Sequence, residues 1–230
     1  MGWRAAGIML ALLVAGSGAS GAQSGDVAEC FNVLSPRRIE ACTAVIENPA
    51  TEPMQRADAL AARGLAHRRK GDLAAAFADY DAALAINPNH AESHLLRIDR
   101  RIDAEDYIRA GAEIELVLDV NPSQPAAWAY KAVLAHLASD SKSEEAARKQ
   151  ALATWPKNPE VDYLIGKKLS DNYRFAEGAE YQRKSLAFDP EYRPAKLQLS
   201  QDLLRLGEES EGWRLADEIS KHDAYDVTAY

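Results

Sequence analysis

Sheet-forming residues are scarce in this 230-residue chain: threonine occurs four times and aromatics make up 7%. Alanine, the best helix former, is about one residue in five, so helices are favoured over strands. Basic residues are outnumbered, 27 against 35, for a net charge of −8. A phosphate backbone needs the opposite balance, which excludes nucleic acid as the main partner. There is no glycine-rich phosphate loop, no cofactor fingerprint and no nucleophile–base–orienter set. Those absences argue against an enzyme in this chain and call for no cofactor. Only two cysteines occur, Cys30 and Cys42, and a structural zinc site needs four Cys or His ligands.

Long apolar runs are also missing, with one exception at the start. Arg4 is followed by an uncharged stretch from Ala5 to Gly16, and Ser20-Gly21-Ala22 offers small residues for cleavage. About a dozen apolar residues fall short of the ~20 that a membrane-spanning helix needs, so residues 1–22 read as a secretory signal peptide. The mature chain is expected to be exported, to the periplasm or beyond the cell, and to contain no membrane span.

What the sequence has is a period. Pro88, Pro122, Pro156 and Pro190 are spaced 34 residues apart, and each follows by four residues a leucine: Leu84, Leu118, Leu152 and Leu186. With each proline at position 32, the chain divides into units 57–90, 91–124, 125–158, 159–192 and 193–226. Positions 8, 20 and 27 hold mostly small residues, as Gly64, Ala76 and Ala83 do in the first unit and Gly166 in the fourth. Small residues there let two antiparallel helices approach, and proline stops the second helix. Each unit therefore predicts a helical hairpin.

This pattern resembles the tetratricopeptide repeat. Ala57 to His90 matches best, with Leu60, Gly64, Gly71-Asp72-Leu73, Ala76, Tyr80, Ala83 and Pro88, while Trp128 stands where the family carries its tryptophan. The resemblance implies an all-α, right-handed solenoid of antiparallel helix pairs, with Trp128 buried between helices. The third and fifth units diverge: Glu144 and Arg148 replace small and aromatic residues of a second helix, and Ala224 replaces proline. Residues 23–56 read as a degenerate N-terminal hairpin. After unit five, residues 227–230 read either as the start of a further repeat or as a frayed tail, with Tyr230 at the position of Trp128.

By family analogy, first helices line the concave face through positions 2, 5, 6, 9, 12 and 13. The candidate groove residues are Arg68, Arg69, Arg97, Asp99, Tyr130, Tyr163 and Lys167. The family's carboxylate clamp is not evident, since Asp99, Val133 and Lys167 occupy position 9 where asparagine is wanted. The basic clusters of units one and two have two readings. One is charge pairing between repeats, Arg68 and Arg69 at positions 12 and 13 facing Asp99 and Asp103 of the next unit, worth about 0–1 kcal/mol per pair; the other is a binding stripe for an acidic peptide. His90 and His94, spaced i, i+4, lack the glutamate of a zinc-protease motif. The function expected is a scaffold binding a protein or peptide on its concave face. The alternative is an N-terminal docking module of a larger protein whose catalytic domain lies elsewhere.

In an oxidising compartment Cys30 and Cys42 are expected to form a structural disulfide stapling the N-terminal hairpin; the alternative is two buried thiols. The bridge would contribute about 3 kcal/mol in the chain-entropy model. Mass spectrometry of the unreduced mature protein should find it lighter by the two thiol hydrogens. Two alkylatable thiols in freshly isolated protein would contradict the bridge.

Overall fold

A computed structural model describes residues 19–222, with side chains placed for residues 24–221. Most of the signal-peptide segment and the tail at 227–230 lie outside the described residues. Within them are twelve α-helices and no strands. α1 (Ala19–Phe31) and α2 (Arg38–Glu47) form the N-terminal hairpin. The five units then contribute α3 (Pro53–Arg69) with α4 (Leu73–Ile86), α5 (Ala91–Asp103) with α6 (Tyr107–Val120), α7 (Pro125–Leu137) with α8 (Ser141–Ala151), α9 (Pro159–Asp171) with α10 (Phe175–Phe188), and α11 (Arg193–Arg205) with α12 (Glu209–His222). The architecture is an all-α solenoid of the tetratricopeptide type.

Local chemistry accounts for the hairpins. Pro53, Pro125 and Pro159 open helices, where the missing N–H costs nothing. Asp72 and Asp140 cap α4 and α8, accepting from the backbone N–H of Ala75 and Ser143. Before the repeat prolines, Asn87 and Asn121 fold back to accept from Asn89 N and Ser123 N, which closes the second helix in a tight Asx turn. The third unit has Trp155 there instead, and its second helix ends early, at Ala151. Within each hairpin the residue at position 15 has a positive φ: Gly71 and Gly207 at 81°, Glu105 at 58°, Ser139 at 59° and Tyr173 at 63°.

Helix approach inside a hairpin is governed by the small positions. A Cβ on Gly64 would sit 2.5 Å from Tyr80 Cε1, and one on Gly166 would sit 2.7 Å from the Gly178 carbonyl. The largest apolar core runs through units two to four, around Ile98, Ile114, Val133 and Ile165. A smaller one surrounds the Cys30–Cys42 disulfide, whose sulfurs are 2.11 Å apart, together with Ala41, Val45 and Ala59.

Two sequence expectations need revision. Trp128 is only half-buried: its Nε1 donates to the Pro122 carbonyl at 2.8 Å, and Lys131 Nζ lies 5.0 Å from the ring centroid. His94, at the same position of unit two, bonds the Pro88 carbonyl at 2.8 Å, so in units two and three this position ties the hairpin to the preceding proline corner, while Trp128 also packs against the edge of the core. Glu144 and Arg148 are a polar seam rather than decay of the repeat. Glu144 accepts from Tyr181 Oη and His136 Nδ1, and Arg148 grips the fully buried Asp162 at 2.5 and 2.6 Å.

The turn conformation predicts a substitution. A non-glycine residue at positive φ is strained, and Ser139 is exposed with no side-chain bond described. Ser139→Gly should therefore raise stability by about 0.5–1 kcal/mol, after allowing for the extra freedom of glycine in the unfolded chain. Equilibrium urea unfolding measures it.

Candidate binding groove on the inner face

First helices of neighbouring units pack on one another along the chain, α3 on α5, α5 on α7, α7 on α9 and α9 on α11, so they form the inner side of the curve. Moreover, α5 also touches α9, skipping a whole repeat. Three of the five buried positions of the intervening α7 are alanines, Ala127, Ala129 and Ala132, which let the neighbours come close, and the other two are Tyr130 and Val133.

At that crossing lies Lys168, with 1% of its surface exposed. Its Nζ is 2.6 Å from Asp99, 2.7 Å from Asp103 and 3.3 Å from Asp171. Arg68 pairs with the other oxygen of Asp99, and Tyr130 Oη donates to Asp99 at 3.3 Å. Burial pushes the Asp99 carboxyl up, but Lys168 and Arg68 outweigh it and hold the group below the usual carboxylate range. Burial likewise disfavours charge on Lys168, yet Asp99, Asp103 and Asp171 raise its pKa above the ordinary lysine value. Tyr130, fully enclosed, is pushed well above an ordinary tyrosine by burial, with Asp99 adding to the effect.

The inner face between α5 and α9 is thus occupied by the protein's own charges. Arg68, Asp99 and Tyr130 belong to this buried network and are not free groove residues. Arg69 faces elsewhere, donating to the Val33 carbonyl of the N-terminal hairpin at 2.9 Å, and does not meet Asp103. Arg97 lies on the opposite side of α5, 3.0 Å from Asp81 and 3.2 Å from Glu113. The basic cluster read from units one and two is therefore dispersed among four different partners.

The remaining two candidates, Tyr163 and Lys167, do share an open groove. Between α9 and α11 a cavity of about 350 Å³ is lined by Tyr163, Lys167, Arg193, Pro194, Leu197, Gln198 and Gln201. A second, of about 450 Å³, shares Lys167, Gln198 and Gln201 and continues along Ser170, Asp171, Tyr173, Phe175 and Arg205. Tyr163 packs edge-to-face on Tyr192 at 5.7 Å, and Arg205 lies 5.1 Å from the Phe175 ring. Lys167 is 2.6 Å from Asp171, and the exposed Gln201 leaves an amide facing the groove. Beneath the wall, buried Asp202 accepts from Ser170 Oγ and Gln198 Nε2; burial raises its carboxyl above the usual range. Pro194, Leu197, Gln198, Gln201 and Arg205 are positions 2, 5, 6, 9 and 13 of unit five, so the position rule already pointed to them.

Aromatic edges, amides and cations in an open trough suit an extended chain segment. Among the described residues, no group of three or more His, Cys, Asp or Glu is placed to hold a metal ion. His90 and His94 diverge: His90 caps α5 and bonds Asp58 at 3.0 Å, while His94 bonds Glu113 at 2.8 Å. Nor is any described helix long and apolar enough to cross a membrane.

The lattice of hairpins has its counterpart among known families. Residues 57–90 match the family described as "Tetratricopeptide repeat". The same helical hairpin recurs before and after that match, so the fold is that of a tetratricopeptide-type solenoid. No curated protein matches it by sequence. Solved structures share the fold. The crystal structure of PilW, a widely conserved type IV pilus biogenesis factor, has a TM-score of 0.55 at 14% identity, covering 90% of this chain and 96% of that one. Yeast Tom70 has a TM-score of 0.60 at 15% identity, covering 96% of this chain and 58% of that one. At such identities the likeness extends to fold alone.

Removing one partner from a buried ion pair leaves the other charge uncompensated, so Lys168→Met should cost about 3 kcal/mol. The sign with pH follows from Asp99. A carboxyl held below its unfolded value stabilises the fold above that value, and the contribution is lost as pH falls through the depressed one. The stability gap between wild type and Lys168→Met should accordingly shrink below about pH 4. Denaturant melts at neutral and acid pH measure both.

Proposed function

We propose that this protein is an exported scaffold that holds an extended segment of a partner protein in the groove between α9 and α11. The observation that carries this reading is the contrast along the inner face. Between α5 and α9 the charges satisfy one another, while Tyr163 and Lys167 of α9 and Gln198 and Gln201 of α11 line a continuous trough open to solvent. Lys167 and Arg205 against Asp171 give that trough a cationic balance within an acidic protein, which favours an acidic segment. Export rests on the N-terminal apolar run, and the Cys30–Cys42 disulfide suits an oxidising compartment. Because the groove lacks asparagine at the clamp positions, capture of a C-terminal carboxylate by that route is not part of the proposal.

Affinity capture from periplasm with the mature protein, followed by identification of what binds, tests the reading. Tyr163→Ala combined with Lys167→Glu should remove the specific partners and leave the helical circular dichroism intact. Capture should also weaken with salt, because exposed charge attraction is screened over about 8 Å at physiological ionic strength. An unchanged set of partners with the double variant would refute the groove. Arg68→Glu is unsuitable here, since it sets a second negative charge against buried Asp99 and should unfold units one and two instead.

A further inference from the structure

One residue of the inner groove is not accounted for by folding. Tyr173 closes the turn between α9 and α10 at a φ of 63°, where units one and five have glycine. A bulky side chain is strained there, and strain of that kind persists where the surroundings or the function require it. Burial does not offset it, because Tyr173 is 82% exposed. Its ring instead meets Phe175 edge-to-face, with centroids 6.1 Å apart and planes at 81°. Both rings line the 450 Å³ cavity, and Arg205 reaches the Phe175 ring from α11 at 5.1 Å.

Two rings set nearly at right angles form a notch that accepts a flat apolar group. The other end of the trough has a second apolar seat, made by Tyr163, Pro194 and Leu197, with Tyr192 bracing Tyr163 from the side. From Tyr163 to Tyr173 the chain follows α9 to its end, which places the two seats about 15 Å apart. Between them donors outnumber acceptors. Asp171 is already held by Lys167 and Lys168, and Gln198 spends its amide N–H on buried Asp202. Lys167, Gln201 and Arg205 still have N–H groups to offer a ligand.

A helical wall has no backbone edge, so a strand laid in this trough would leave its own N–H groups without partners. A polyproline II segment avoids that loss. Proline has no N–H, its ring is flat and apolar, and the backbone carbonyls stand free to accept. At about 3.1 Å per residue, about five residues separate two prolines that reach both seats. Given the inner groove as the binding site, on which this rests, we propose that it selects a proline-bearing segment in polyproline II form. One proline sits between Tyr173 and Phe175, and another lies against Tyr163, Pro194 and Leu197.

The probes are two fluorescently labelled peptides of about ten residues with the same glutamates. One has prolines about five residues apart, and the other has alanine at both places. Fluorescence anisotropy with the full mature chain should show the proline peptide binding at least about tenfold more tightly. Moving one proline by about two residues should remove most of that difference. Tyr173→Gly should abolish the preference without lowering the urea midpoint, since relief of the positive φ offsets the lost ring contact. Lys167→Glu should weaken both peptides. If the two bind alike and Lys167→Glu weakens both, selection of proline is overturned while the groove stands. A proline preference that survives both Tyr173→Gly and Lys167→Glu places the binding elsewhere and overturns the seats. If neither peptide binds, the inference also falls, and partner capture with Tyr163→Ala and Lys167→Glu still decides the groove by itself.

Discussion

A single ammonium group decides where this solenoid is open. Lys168 is drawn out of water to meet Asp99 and Asp103 two units earlier, and Arg68 reaches the same Asp99 from the unit before. Burying a charge is costly unless it is paired and hydrogen-bonded, and this one is met by three carboxylates. The consequence is geometric. α9 is held against α5 across α7, which fills the inner face between α5 and α9 with structure. The inner face beyond α9 has no such bridge, and there the trough remains.

Other polar seams extend the same logic between units. Arg63 joins α3 to α4 through Asp79 at 2.7 and 3.0 Å and to α2 through Thr43 at 3.0 Å. Arg148 with Asp162 and Glu144 with Tyr181 join units three and four where the apolar repeat pattern fails. In a repeat protein each hairpin contacts chiefly its neighbours, so these seams supply register that a uniform apolar interface would leave weak. Lys168 adds a contact of longer range, joining units two and four directly.

Much of the fold was legible because it is periodic. The proline and leucine lattice gave hairpin boundaries, and glycine or alanine at positions 8 and 20 marked the close approaches later found at Gly64 and Gly166. The site was less legible. Arg68 with Asp99 was visible as a pair one unit apart, but Lys168 lies more than sixty residues from its partners. Beside Lys167 it reads as an ordinary solvated lysine, and no local pattern separates the two. Burial decides, and burial depends on curvature, which the period does not encode. Arg69 and Arg97 were misplaced for a related reason: a helix position fixes which way a side chain leaves the axis, not which carbonyl or carboxylate it finds.

Lys168 holds the first helices of units two and four together. Pulsed electron-resonance distance measurement between spin labels at Glu92→Cys and Glu160→Cys tests it directly, because both residues are exposed and occupy the same position of those units. One narrow distance distribution is expected with Lys168 in place, and a longer, broader one in Lys168→Met. Identical distributions in the two proteins would contradict it.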